Sequence, residues 1–193
     1  MPEGRIGRAD IDPALSATLA PKPGSRVSRV RCVIAFEQRY LLVQHNTRRP
    51  ESFGKWGLIG GRLKALEDPR TGLRREVREE LRFRVPYLIE LGDWSCRGET
   101  HRVFGCQTWR ALDWFDREEI LAMDWLSYSD VVRLAETRQL HTGFELAAIT
   151  DFRNRAAAKE GSIELSRRPS KKVRGSRKAR TAAKRAKPAT TRC

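Results

Sequence analysis

The chain has 193 residues, with 39 Lys/Arg against 24 Asp/Glu and a formal net charge of +15, long enough for one domain with a substantial core. The charge is uneven: residues 166–193 hold twelve Lys/Arg and no Asp/Glu, which leaves +3 for residues 1–165. No run approaches the ~18–20 apolar residues of a membrane span, no secretory leader pattern opens the sequence, and Cys32, Cys96, Cys106 and Cys193 lack zinc-site spacing, which speaks against membrane, secreted and structural-zinc classes and for a cytoplasmic chain with reduced thiols.

Residues 1–27 are rich in Pro, Gly and small side chains and read as a flexible arm. Residues 29–37 and 40–45 are β-branched and apolar runs around a short polar turn, the pattern of a hairpin. A polar loop over 45–56 leads to Gly57-Leu58-Ile59 and the pair Gly60-Gly61. Asp68-Pro69 then signals a helix start, because Asp caps free amides and Pro fits the first helical position. Strand signals return at 85–94 and 101–112, an acidic loop follows at 113–119, and an apolar run covers 120–126. Helical patterns occupy 128–138 and 143–158. Strands interrupted by one helix and followed by two more fit an α/β sandwich with a mixed sheet. One domain is expected over 28–158, with a disordered Lys/Arg-rich tail over 159–193. Trp94, Trp109, Trp114 and Trp125 are expected as buried or half-buried core aromatics.

The segment from Gly61 to Phe83 carries the chemistry. Its spacing is Gly61, five residues, Glu67, seven residues, then Arg75-Glu76-Val77-Arg78-Glu79-Glu80. At about 100° per residue, Glu76, Glu79 and Glu80 share roughly one third of a helix circumference. Leu73, Val77 and Leu81 form the adjoining apolar stripe, and Arg74, Arg78 and Arg82 share the far side. Neighbouring carboxylates repel, and a hard divalent cation turns that penalty into a site, since Mg²⁺ and Mn²⁺ prefer carboxylate oxygens and bridge phosphates.

This pattern resembles the signature of the Nudix hydrolases: Gly, five residues, Glu, seven residues, Arg-Glu-hydrophobe-any-Glu-Glu-any-Gly-hydrophobe. Gly61, Glu67, Arg75, Glu76, Val77, Glu79, Glu80 and Phe83 match it, the lead-in Trp56-Gly57-Leu58-Ile59-Gly60 looks like the usual approach, and Arg82 stands where the last glycine belongs. The resemblance implies a Nudix-type α/β/α sandwich and metal-dependent cleavage of a diphosphate linkage in a nucleoside diphosphate derivative. It implies Glu76, Glu79 and Glu80 as catalytic metal ligands, the Gly60 carbonyl as a backbone ligand, Mg²⁺ or Mn²⁺ as cofactor, and a supporting Glu67–Arg75 salt bridge. Arg48 and Arg49, just ahead of the box, are candidates for substrate phosphate. A further acid from a later loop would come from Glu99, Asp116, Glu118 or Glu119, while His45 and His101 read as structural or exposed. Members preferring ADP-ribose tend to carry a proline about fifteen residues past the box, and dinucleoside-polyphosphate members a tyrosine. Residues 96–102 hold neither, so the substrate stays open beyond a nucleotide derivative.

The tail is a second, separate signal. Clustered Lys/Arg without aromatic anchors binds polyanions by counterion release, so residues 166–193 are expected to contact nucleic acid non-specifically. This keeps a second function class open: a nucleic-acid-associated protein that hydrolyses RNA 5′ ends or senses nucleotides without catalysis.

Overall fold

A computed structural model describes residues 25–167, as backbone alone from 159. The expected arm up to residue 24 and the basic tail from 168 lie outside the described residues. Six strands, β1 (Val27–Phe36), β2 (Arg39–His45), β3 (Trp56–Gly57), β4 (Ile89–Cys96), β5 (Glu99–Gln107) and β6 (Ile120–Ser127), form one mixed sheet with three helices, α1 (Pro69–Leu81), α2 (Tyr128–Glu136) and α3 (Glu145–Arg167).

β1 sets the layers by alternation. Val30, Cys32 and Ile34 face one way and join Leu73, Val77 and Leu81 of α1 in one buried cluster. Val33 and Ala35 face the other way, into a second cluster with Val131 of α2, Phe144 just ahead of α3, and Ala148, Ile149 and Phe152 of α3. A period-2 strand between two apolar helix stripes gives the α/β/α sandwich.

β1 and β2 meet in a two-residue turn in which Glu37 and Gln38 both have positive φ, 45° and 62°, the twist-matched geometry of tight hairpins. Beyond that end the strands part. β2 gives one edge to β6 and the inner part of the other to β3, through Val43–Gly57 and Gln44–Trp56. β1 runs parallel to β5 from Val27–Thr100 to Ala35–Gln107. Into the gap enters the segment after β3: Val30 N donates to Gly61 O at 3.0 Å, Cys32 N to Ile59 O at 2.9 Å and Leu63 N to Ser28 O at 3.0 Å. The two glycines are thus wedged inside the sheet.

Several boundaries differ from the sequence reading, three elements most. β4 starts at Ile89, not at the apolar Val85, because Pro86 has no amide to give a ladder. β5 starts two residues early, at Glu99, and ends at Gln107, and α3 continues past 158 to Arg167. Trp109 is 71% exposed and Trp114 36% exposed, so neither is a core residue.

Trp114 has another partner. Asp68 caps α1 by accepting from Thr71 N at 3.0 Å, Pro69 opens it, and Arg82 closes it in the left-handed region at φ 49°. The Arg82 guanidinium lies 4.0 Å from the Trp114 ring centroid. Replacing Arg82 by Gly relieves about 1 kcal/mol of left-handed strain and forfeits a cation–π contact worth about 0.5–1 kcal/mol at an exposed site. Arg82→Gly should therefore leave urea-melt stability within about 1 kcal/mol of wild type, and should stabilise only in a Trp114→Ala background. A stabilising Arg82→Gly in the wild-type background would show that the Trp114 contact contributes nothing.

Candidate active site

The wedged loop and α1 meet at one end of the sheet. Leu73, Val77 and Leu81 anchor the helix, which turns Glu76 and Glu80 toward Gly60-Gly61. Gly61 is what lets Glu76 in: a Cβ there would stand 2.5 Å from Glu76 Oε2. Glu80 is 5% exposed and its Oε2 accepts from Gly60 N at 3.5 Å. Burial, and then the like charges of Glu76 and Glu119, push its carboxyl up to about 7 against the pull of Arg31. Burial likewise raises Glu76, opposed by the Arg75 guanidinium.

Arg75 organises the rest. Its Nε and Nη2 donate to the two oxygens of Glu67, both at 2.9 Å, and Nη2 also reaches Arg62 O at 3.2 Å. Its Nη1 donates to Glu76 Oε1 at 2.9 Å and Glu79 Oε2 at 3.0 Å. Glu67 also accepts from Lys64 N at 2.9 Å, and these hydrogen bonds, that from Arg75 above all, lower its carboxyl to about 2. One guanidinium thus ties the loop to the helix, as hydrogen-bonded outer residues do around metal ligands.

Glu79 is the carboxylate not drawn in. It is half exposed and held outward by Arg75, and among the described residues no three His, Cys, Asp or Glu side chains are gathered to hold a metal ion. The donors that do share the loop, the Glu76 and Glu80 carboxylates and the Gly60 carbonyl, are the hard oxygens that suit Mg²⁺ or Mn²⁺. The Gly60 carbonyl itself accepts from Arg31 Nη1.

These groups line a cavity of about 280 Å³ that also takes in Arg29, Arg31, Arg49, Arg62 and Arg97. Arg49 is there and the exposed Arg48 is not. Of the later-loop acids, Glu99 and Glu119 line the cavity, and Asp116 and Glu118 do not. Glu99 is taken by arginines: Arg29 donates to it at 2.6 Å and Arg62 at 2.9 Å. Burial pushes its carboxyl up, but the Arg29 hydrogen bond and the nearby guanidinium charges outweigh that and leave it low.

All three histidines of the chain, His45, His101 and His141, line the same cavity. His45 Nε2 lies 3.1 Å from Leu58 O, and His101 is 3% exposed, edge-on to Phe144. Burial, and then the Arg31 charge, holds His45 and His101 down to about 3 and His141 to about 4. The imidazoles are neutral at physiological pH, so the cavity's positive charge comes from arginine.

Sequence reasoning missed Arg29, Arg31, Arg62 and Arg97, which only strand pairing and turns bring together. It also missed Glu145. This residue is fully buried and accepts from Thr142 N and Gly143 N, both at 2.7 Å, which fixes the loop carrying His141. The signal was present: Thr142-Gly143-Phe144-Glu145 has capping-box spacing.

A family model described as the NUDIX domain matches residues 25–144. Over 100 residues the chain is 34% identical to a Mycobacterium tuberculosis protein provisionally named 8-oxo-dGTP diphosphatase 2, covering 45% of this chain and 71% of that one. Over 68 residues it is 37% identical to nucleoside triphosphatase NudI of Klebsiella pneumoniae, covering 35% of this chain and 48% of that relative, so it spans about half of that relative's length. The NUDIX domain of Shewanella oneidensis NrtR, solved with ADP ribose, superposes with a TM-score of 0.54 at 19% identity, covering 77% of this chain and 96% of that one, a likeness of fold. With the family match covering every strand, α1, α2 and the loop that carries Glu76 and Glu80's partners, the chain belongs to the NUDIX domain family.

Proposed function

We propose that the protein is a metal-dependent hydrolase that cleaves a diphosphate linkage in a nucleotide derivative. The observation that carries this reading is the pair of buried carboxylates, Glu76 and Glu80, set against Gly60-Gly61 in a cavity lined by five arginines. Glu76 and Glu80 would hold Mg²⁺ or Mn²⁺, and the exposed Glu79 joins them once its side chain leaves Arg75. The chemistry a bound divalent cation supplies is neutralisation of phosphoryl oxygens and a lowered water pKa. The protein does the rest. Arg29, Arg49, Arg62 and Arg97 bind phosphoryl oxygens and fix the substrate's direction. Arg75 and Glu67 hold the loop and helix in register. A carboxylate of the cavity, not an imidazole, accepts the proton of the attacking water; of the two acids there that lie outside the box, Glu99 is bound by Arg29 and Arg62, which leaves Glu119 as the candidate.

The names carried by two of the curated relatives make nucleoside triphosphates the first class to assay, and five arginines suit a chain of phosphates. The test is a panel of nucleoside triphosphates, nucleoside diphosphate sugars and ADP-ribose, with Mg²⁺ or Mn²⁺, read by released pyrophosphate and nucleotide. Metal-dependent release from at least one class is expected. No turnover across the panel with either metal would overturn the reading.

A second reading rests on the sequence of the tail. Contact with nucleic acid through the twelve Lys/Arg of 166–193 would accompany hydrolysis without altering it. Since α3 runs to Arg167, truncation after that residue spares every described element and removes eleven positive charges. With about half of them engaged, the full chain should show a log K against log salt slope of roughly −4 to −6 on RNA or DNA, and the truncated chain one near zero. Turnover of a small nucleotide should change less than a few fold. Equal nucleic-acid affinity at matched salt would move that surface onto the folded domain.

A further inference from the structure

Arg31 sits where β1 should carry an apolar residue. Its neighbours in the alternation, Val33 and Ala35, are core, yet position 31 is a guanidinium only 4% exposed. A buried charge of this kind persists only when paired and hydrogen-bonded. Arg31 meets that need with the site itself. Nη1 donates to the Gly60 carbonyl, and the opposite charge that acts on it most strongly is Glu80, with Glu145 and Glu76 further contributors. The other cation acting on it is Arg29. Nε is buried without a hydrogen-bond partner, on a side chain that lines the cavity.

We propose that Arg31 is a resident cation of the active site, a positioning residue that keeps the Gly60 carbonyl for itself and offsets the charge of Glu80. A divalent cation held by Glu76 and Glu80 then binds without that carbonyl and against a fixed positive charge. This rests on the preceding reading that Glu76 and Glu80 hold the metal. The design has a chemical logic: part of the charge neutralisation is covalently attached, and the unpaired Nε–H remains as a donor for a phosphoryl oxygen. The cost is weaker metal binding before substrate arrives.

The test is Mn²⁺ binding to the full-length protein without nucleotide, measured by electron paramagnetic resonance, for wild type, Arg31→Met and Arg31→Lys. Arg31→Met removes the charge, frees the carbonyl and fills the space with an apolar side chain. It should bind Mn²⁺ at least ten-fold more tightly than wild type, or take up an additional ion. Arg31→Lys keeps the charge and should stay within about three-fold of wild type. Equal or weaker binding by Arg31→Met overturns the proposal. Should that variant fail to fold, ¹⁵N spectra of the wild-type guanidinium groups decide. The slowly exchanging Arg31 signal should persist through Mg²⁺ saturation, and its release would show that metal displaces Arg31 from Gly60. The two readings fail differently. Mn²⁺ binding by wild type that is lost in Glu76→Gln but indifferent to Arg31→Met sinks this proposal alone, whereas no Mn²⁺ binding by any of these proteins sinks the metal site and this proposal with it.

Discussion

Glu80→Gln is expected to lower kcat/KM by several orders of magnitude and, in the same protein without metal, to raise the melting temperature at pH 8. The two effects have one cause. Glu80 is a carboxylate held in a site that burial makes unfavourable for its charge, so its carboxyl rises to about 7. A metal-dependent reaction needs that charge to bind the cation, and removing it disables metal binding and charge neutralisation together. Glu76→Gln should cost activity similarly. If both variants keep more than about a tenth of wild-type kcat/KM, equivalent to roughly 1.4 kcal/mol, the proposed site is wrong.

The stability half follows from linkage. The folded-state value of Glu80 lies above its unfolded value near 4.5, so the folded state binds this proton more tightly. Its favourable contribution is complete below pH 4.5, fades as pH rises toward about 7, and is gone above that, where folding must bury the ionised form. Glutamine has the same shape and never ionises. Metal-free Glu80→Gln should therefore match wild type near pH 4 and exceed it at pH 8 by something on the order of 2–3 kcal/mol. Thermal melts at the two pH values check this, and an equal margin at both would show that the carboxylate charge is not what strains the site.

Gly60→Ala should be the most damaging of the small substitutions. Gly60 has φ +122°, a conformation L side chains rarely adopt, and an added Cβ would fall on Val30 O. Neither partner can move freely: Val30 N is bonded to Gly61 O, and Cys32 N to Ile59 O. Strained backbone of this kind costs about 1–3 kcal/mol before any clash is counted, so a loss of roughly 3 kcal/mol or more is expected in urea unfolding. Loss of activity alone, with stability within 1 kcal/mol of wild type, would mean that the loop yields and the wedge is soft.

Local chemistry was legible, and long-range assembly was not. The start of α1 at Asp68-Pro69 and its apolar stripe follow from residues within four positions of one another, which is the range sequence patterns encode. The layers on both faces of β1 follow from period-2 alternation. The arginine walls of the cavity follow from no local rule. Arg29 finds Glu99 seventy residues on because β1 and β5 run parallel, and Arg97 reaches Ser52 at 2.6 Å because a two-residue turn aims it. The outward pose of Glu79 was illegible for the opposite reason. Its helical position matches Glu76 and Glu80, but Arg75, one turn earlier, sets its direction. The exposed Trp109 shows the same limit, since composition favours burial and only the loop's path decides it.

The parallel pairing of β1 with β5 also bears on when the cavity comes into being. Residues that line it run from Arg29 to Thr142, and the ladder that holds its floor joins Val27 to Thr100 and Arg29 to His101. Contacts of such sequence separation form late, after the chain has met the entropy of closing a long loop. The hairpin of β1 and β2 and the helix α1 can form from neighbouring residues alone, yet neither contains a substrate site. A chain that lacks the β1–β5 pairing therefore has Glu76 and Glu80 without the cavity walls around them. The cavity is expected to be complete only once that long-range pairing has formed.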